Sequence, residues 1–202
     1  MSEKYLITEY LELNDNSDLL TEDEKLQVEN GHYILAGVIQ RCEAENGNGR
    51  VYPRSVLQRE MKLYEKLVRE NRAIGELDHP ETSVVEMKNV SHLMTDIWWD
   101  NNEVYGKIKL LDTPAGNIAK GLCQGGVKFG ISSRGLGSTF QKEGKTMVGE
   151  DFQLICFDLV TEPSTAGAFM LKEGRENFEQ TKSDRINRAL LEALAQIKTS
   201  EK

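Results

Sequence analysis

A histidine and a pair of serines are the residues of this chain best suited to chemistry. His79 stands in a loop between an aspartate and a proline, and a histidine beside a carboxylate can be held as an oriented base. Ser132 and Ser133 stand in a glycine-rich string, residues 130–138. A serine hydroxyl becomes a nucleophile when a base removes its proton and donors stabilise the resulting oxyanion. These residue types therefore indicate acyl transfer by a serine, with the histidine as its base.

Two charged residues could complete such a site. Arg134 follows the serines directly and adds a fixed positive charge. Asp158 interrupts an apolar run, residues 154–160, where an unpartnered charge would be costly. It could orient a histidine, as the third member of a triad does, or it could face outward from a half-exposed strand. The serine string alone is also explained, and more commonly, by a glycine-rich hairpin whose hydroxyls are satisfied.

A metal site is an alternative use of the same loop. Glu76, Asp78 and His79 could together ligate a cation, but no further ligands follow at a recognisable spacing. The three cysteines are odd in number and widely spaced, which is typical neither of a disulfide framework nor of a metal site. We therefore expect no metal and no cofactor, and a reducing compartment.

The elements that must position these residues follow from hydrophobic periodicity and turn signals. Many short strands with two or three helices predict an α+β fold, with a mainly antiparallel β-barrel core flanked by a few helices. The serine string and the His79 loop both lie between predicted elements. The predicted strands are 32–42, 90–99, 104–111, 147–148 and 152–160, and the predicted helices are 53–68, 113–124 and an amphipathic stripe over 186–197.

Charge and length divide the chain into three parts. The 202 residues carry a net charge of −8, which argues against a nucleic-acid binder held by phosphate contacts. Residues 1–30 hold nine acidic and two basic residues, a net charge of −7. No apolar run reaches the ~20 residues of a membrane helix. We predict an acidic lead-in (1–30), a domain that carries the candidate site (31–170), and a linker with a terminal helix (171–202).

Five strings, taken in order, resemble the prohead core proteases of tailed bacteriophages. These serine proteases are related in fold to the herpesvirus capsid-maturation protease, assemblin. The resemblance therefore implies an assemblin-like fold and serine-type peptide hydrolysis. The matching strings are residues 46–53, 75–80, 98–106 and 130–137, and Asp158 with the Pro-Ser pair at 163–164.

The resemblance also implies roles for single residues. The family histidine that acts as general base corresponds to His79, and the nucleophile corresponds to Ser132, with Ser133 as its neighbour. Asp158 fits the third position. Assemblin uses a second histidine there, so His92 is the alternative.

Oxyanion stabilisation is implied for the residues that follow the nucleophile. By analogy with assemblin, the Arg134 side chain and the backbone around Ser133 and Gly135 would stabilise the oxyanion, directly or through water.

The family's substrates imply further expectations. Its members cleave after glutamate in Leu/Ile-x-Glu strings followed by a small residue, and they process scaffold or core proteins, the major capsid protein and themselves. Two such strings, ending at Glu173 and Glu192, are candidate self-cleavage sites of a zymogen. The resemblance places the protein in the host cytoplasm, inside the prohead core. A homo-oligomer is possible, because assemblin works as a dimer.

A non-catalytic assembly module is the competing hypothesis. A capsid or scaffold component could keep the same fold, and the amphipathic terminal helix could dock on partner helices. The presence of both His79 and Ser132 in their strings favours the enzyme.

Overall fold

The computed structural model describes residues 5–12, 17–80, 82–127 and 130–160, which form an α+β fold. The α+β class is thus confirmed. The helices of the described residues are α1 (Glu22–Glu29), α2 (Arg54–Arg69) and α3 (Pro114–Gln124). The strands are β1 (Tyr5–Glu12), β2 (Ile34–Arg41), β3 (Arg50–Val51), β4 (Ile74–Glu76), β5 (Val90–Asp100), β6 (Glu103–Leu110), β7 (Gly130–Gly137), β8 (Thr139–Lys142), β9 (Lys145–Val148) and β10 (Gln153–Val160).

The strands form three sheets. The first has the order β1-β7-β10 and is antiparallel, the second has the antiparallel order β2-β6-β5-β4, and the third has the order β3-β9-β8 with β3 parallel to β9. A closed barrel needs an unbroken ladder of strand pairs. The first two sheets meet where β4 approaches β10, and there a single bridge joins Leu77 to Leu159. Within the described residues the expected β-barrel is therefore wrong, and the core is built from separate sheets.

Helices α2 and α3 cover the sheets that carry the candidate site. Helix α2 has apolar residues at three- and four-residue spacing and buries Leu57, Met61 and Tyr64 against β5 and β10. Helix α3 begins at Pro114, and the Thr113 hydroxyl accepts the amide of Gly116 at 3.0 Å as an N-cap. Both helices agree with the prediction, because their caps and periodicity are local signals. No described helix has the length and apolar character needed to cross a bilayer.

The serine string and the first residues of the loop that carries His79, both expected to lie between regular elements, are in strands. The serine string is β7, the central strand of its sheet, with β1 on one edge and β10 on the other. Residues 74–76 form β4, which pairs with β5. In both cases neighbouring strands impose the extended conformation, and a pattern read along one segment does not contain them.

The first thirty residues contribute to the sheet of the serine string. β1 pairs with β7 along its whole length, with Tyr10 opposite Ser132. Helix α1 is held to β6 by an ion pair of 2.8 Å between Glu24 and the buried Lys107. The boundaries of the three predicted parts stay a prediction. The acidic segment supplies strand β1 of the sheet with the order β1-β7-β10. The terminal stripe over 186–197 and the Pro-Ser pair at 163–164 lie outside the described residues.

Candidate active site

Ser132, His79 and Asp158 form one continuous chain of hydrogen bonds. Ser132 Oγ lies 2.7 Å from His79 Nε2, and His79 Nδ1 lies 2.8 Å from Asp158 Oδ2. In the tautomer that satisfies both contacts, the hydroxyl donates to Nε2 and the Nδ1–H group donates to the carboxylate. The sequence placed these residues 53 and 79 positions apart, and the fold brings them into contact.

The pairing of β7 with β10 places the serine beside the carboxylate. Ser132 and Asp158 are directly opposed in the antiparallel register, and Arg134 is opposed to Cys156 on the same pair of strands. Side chains two residues apart on a strand share a face, and opposed residues have Cβ atoms about 5 Å apart. Four polar side chains are therefore grouped on one face of the sheet, and His79 reaches this group from the loop that follows β4.

A close approach of β4 to β10 positions the histidine. A Cβ atom added to Gly75 would lie 1.9 Å from the carbonyl oxygen of Phe157, so only glycine fits this contact. Beyond it, the backbone amide of Asp78 donates to the carbonyl of Leu159 at 2.8 Å. Asp78 has a φ of +64°, a left-handed conformation that is uncommon for residues other than glycine. This turn directs the chain so that the next residue, His79, lies over the β7–β10 pair.

Asp158 is fully buried and holds its charge through its partners. Burial raises the pKa of this carboxyl, but hydrogen bonds from His79 and from the Glu76 amide, together with the positive charge of Arg134, outweigh burial and lower the pKa below its usual range. The Glu76 amide donates to Oδ1 at 3.0 Å, and the Cys156 thiol donates to the same oxygen at 3.3 Å. An ionised carboxylate in this position can orient an imidazole and stabilise an imidazolium.

The Arg134 side chain lies behind Asp158, whereas the resemblance implies that it helps to stabilise the oxyanion, directly or through water. The guanidinium is fully buried. Nη2 donates to Glu76, and to Asp158 Oδ1 and Cys156 Sγ at 3.2 Å, while Nη1 donates to the carbonyl of Thr82 at 2.7 Å. Nε lies 2.8 Å from Asp158 Oδ2 as an ion-pair contact without the alignment of a hydrogen bond. Each of the three nitrogens thus contacts a protein acceptor, and the part of Arg134 in oxyanion stabilisation stays a prediction.

Ser133 and Gly135 lie on the opposite face of β7 from Ser132, because side chains alternate along a strand. The Ser133 hydroxyl accepts a hydrogen bond of 2.9 Å from the side chain of Gln40 on β2. A Cβ atom at Gly135 would lie 2.4 Å from the ring of Phe152. The two serines, which the sequence alone left as alternatives, therefore have different partners: Ser132 contacts His79, and Ser133 contacts Gln40. A part for the Ser133 and Gly135 backbone in oxyanion binding stays a prediction.

His92 has other partners than the triad. Its Nδ1 accepts from the hydroxyl of Ser91 at 2.9 Å, and its Nε2–H donates to the carbonyl of Phe157 at 3.0 Å. Burial lowers its pKa to about 4, against the opposing effects of Asp158 and the Phe157 carbonyl. A neutral, buried histidine that bridges β5 and β10 has a packing role, and its contacts are not those of a third triad member.

The alternative metal site is not formed by the part of the chain that the structure describes, where no group of three or more His, Cys, Asp or Glu side chains is arranged to hold an ion. Glu76 is paired with Arg134, His79 is bound to Asp158, and Asp78 is exposed. The self-cleavage candidates Glu173 and Glu192 lie outside the described residues.

Sequence reasoning missed a second layer of buried residues, which lie behind the hydrogen-bonded Ser132, His79 and Asp158. Glu76 contacts both Arg134 and, through its amide, Asp158. Gly75 and Cys156 also belong to this layer. A signal for Glu76 and Gly75 was present, because both stand in the string that resembles the family's histidine motif. Nothing in the sequence pattern indicated that Cys156 opposes Arg134.

Three comparisons with known proteins identify the family of this chain. Residues 5–179 match the family described as prohead core protein serine protease. The prohead core protein protease of Enterobacteria phage T4 is 32% identical over 194 residues, which cover 91% of this chain and 87% of that protein. The solved structure of the bacteriophage T4 capsid assembly protease, gp21, superposes with a TM-score of 0.65 at 28% identity, over 78% of this chain and 98% of that chain. The chain belongs to the prohead core protein serine protease family.

Proposed function

We propose that this chain is a serine endopeptidase of prohead maturation in which Ser132 is the nucleophile, His79 the general base and Asp158 the residue that orients it. The observation that carries the proposal is the unbroken hydrogen-bonded chain from Ser132 Oγ through His79 to Asp158. The family membership of the chain supports the same reaction.

The geometry accounts for each proton transfer of acyl-enzyme hydrolysis. As Ser132 Oγ attacks the substrate carbonyl, its proton passes to His79 Nε2, and the imidazolium that forms faces the Asp158 carboxylate. The imidazolium then gives the proton to the leaving amine, and the peptide bond breaks. A water molecule, activated by the same nitrogen, releases the acyl group and restores the hydroxyl.

The substrates we propose are peptides with a Leu/Ile-x-Glu string followed by a small residue, in core or scaffold proteins and in the major capsid protein. The resemblance supplies the cleavage pattern, and the names of the two T4 relatives, a prohead core protease and a capsid assembly protease, support these substrate classes. The proposed place of action is the prohead core in the host cytoplasm, where a homo-oligomer could assemble.

We further propose that the chain is a zymogen that cleaves itself after Glu173, Glu192 or both. Ser132 is fully buried, and the His79 side chain is only 13% exposed. A hydroxyl that solvent does not reach in this structure supports the zymogen proposal. Intact-mass measurement of the wild-type protein against Ser132→Ala tests self-cleavage, and loss of the same fragments in both proteins would contradict it.

A peptide assay tests the proposed activity. A Leu-x-Glu-Ala peptide is incubated with the wild type, Ser132→Ala and Ser133→Ala, and a Leu-x-Gln-Ala peptide serves as the matched control for glutamate specificity. We expect cleavage after glutamate by the wild type and Ser133→Ala, and none by Ser132→Ala. Activity that survives in Ser132→Ala and disappears in Ser133→Ala would overturn the assignment of the nucleophile. A folded wild type that neither cleaves the peptide nor cleaves itself would favour the assembly module.

A further inference from the structure

Glu76 is a fully buried carboxylate directly behind the proposed triad. One of its oxygens accepts from Arg134, and the other accepts from the amide of Glu86 at 2.9 Å. Its own amide donates to Asp158 Oδ1 at 3.0 Å. Glu76 is therefore linked to Asp158 in two ways. Its backbone amide contacts Asp158 directly, and its carboxylate shares the Arg134 guanidinium with the Asp158 carboxylate. The partners in these hydrogen bonds are Arg134, Glu86 and Asp158, and not Ser132 or His79.

The charges that face His79 come from three strands. Asp158 on β10 and Glu76 on β4 are negative, and Arg134 on β7 is positive. With a neutral imidazole the buried cluster carries a net charge of −1. When His79 takes the proton of Ser132, the charge of these four side chains becomes zero, and the negative charge that leaves Ser132 resides on the oxyanion of the bound substrate. Buried charge is costly unless it is balanced, so the cluster is balanced in the state that the reaction creates.

The other titratable groups packed around the cluster are neutral near neutral pH. Burial raises the pKa of the Cys156 thiol on β10 and of the Tyr64 hydroxyl on α2, and burial lowers the pKa of His92 on β5 to about 4. Asp78 is exposed, and the Glu86–Lys88 ion pair lies at the surface, where solvent screens their charges. Among the described residues the balance is thus set by Asp158, Arg134 and Glu76.

We propose that Glu76 is a positioning residue of the serine protease: it holds Arg134 and Asp158 in place and supplies the second buried negative charge that balances the His79 imidazolium. The proposal rests on the proposed function and adds to it a residue that acts only through others. Arg134 then serves to hold the two carboxylates together.

The pH dependence of peptide cleavage by Glu76→Gln tests the proposal. The amide keeps the size of the side chain and removes one negative charge from the cluster, so the imidazolium that forms during the reaction becomes less favourable. We expect the acid limb of the kcat/KM profile to move down by on the order of one pH unit. At the plateau we expect kcat to fall about tenfold with KM unchanged, because Glu76 is remote from the substrate.

Glu60→Gln is the matched control. Glu60 is also buried, but it accepts from the amide of Leu154 at 2.8 Å and pairs with Arg59, outside the cluster. Its substitution should lower the melting temperature and leave the acid limb in place. The double variant Glu76→Gln/Arg134→Gln restores the net charge of −1, and its acid limb should return towards the wild-type position.

An acid limb that does not move in folded Glu76→Gln would overturn the proposal. If this variant does not fold, Glu76→Asp takes its place, since it keeps the charge and lengthens the contact with Arg134. It should show a reduced kcat and a wild-type acid limb, and a shifted limb would overturn the proposal. Failure of the proposed function is distinguishable, because it would appear without any change at Glu76, either as a wild type that does not cleave the peptide or as activity that persists in Ser132→Ala.

Discussion

Replacement of Gly75 by alanine should misalign the hydrogen bonds that join Ser132, His79 and Asp158, although it changes none of these three residues. The added Cβ would lie 1.9 Å from the Phe157 carbonyl oxygen and 2.4 Å from His92 Nε2, whereas real Cβ contacts are essentially never shorter than 3.0 Å. Strands β4 and β10 must therefore separate by about 1.1 Å. β4 leads to His79 and β10 carries Asp158, so the separation falls on the contact between them. A misplacement of about 1 Å costs about 10²-fold in rate.

The assay is hydrolysis of a Leu-x-Glu-Ala peptide, with thermal unfolding measured on the same preparations. Gly121→Ala is the matched control, because Gly121 lies in α3 and has nothing within 4 Å of an added Cβ. Alanine there should keep full activity and add about 0.5–1 kcal/mol of stability. For Gly75→Ala we expect kcat to fall about 10²-fold and the melting temperature to fall as well. Wild-type kcat together with wild-type stability would refute the reasoning.

Three other substitutions probe separate parts of the site. Asp158→Asn should lower kcat by about 10⁴-fold in the peptide assay, because an amide neither stabilises the imidazolium nor fixes the tautomer; a loss below tenfold would contradict this. Ser133→Ala should keep its activity but lose about 1–3 kcal/mol of unfolding free energy in urea, since the buried Gln40 amide loses its acceptor; unchanged stability would count against that contact. Burial lowers the pKa of His92 from 6.5 to about 4. Between these two pH values the unfolded state therefore binds one more proton than the folded state. Stability should therefore fall by about 3 kcal/mol as the pH drops from 6.5 to 4, and His92→Gln should remove that dependence in urea titrations at several pH values. An equally steep decline in His92→Gln would disprove the assignment.

Local signals in the sequence were enough for helices α2 and α3 and for strands β5 and β6, whereas helix α1 was not predicted. The periodicity of α2 and the Thr113 cap of α3 depend on neighbouring residues alone, and both elements lie where they were expected. For residues 130–137, which form strand β7, local signals were not enough. Its glycines suggested a turn, but they allow close packing in a central strand, as the contact of Gly135 with Phe152 illustrates.

The sequence motifs were enough to name the candidate residues of the site. The contacts among these residues could be described only from the fold. The sequence named His79, Ser132 and Asp158 and left Ser133 and His92 as alternatives. The register of β7 with β10 supports the proposed choice among them, since it places Asp158 opposite Ser132 and turns Ser133 to the other face. The position of Arg134 could not be predicted, because its direction depends on Glu76 and Asp158, which lie on two other strands.

Covalent labelling of the nucleophile tests the central claim most directly. Protein that hydrolyses the Leu-x-Glu-Ala peptide is treated with a fluorophosphonate, which forms a stable ester with an activated serine, and the modified residue is located by mass spectrometry. One label is expected per chain, on Ser132, and it should be retained in Ser133→Ala and lost in Ser132→Ala and His79→Ala. A label on Ser133, or one that persists in Ser132→Ala, would contradict the account.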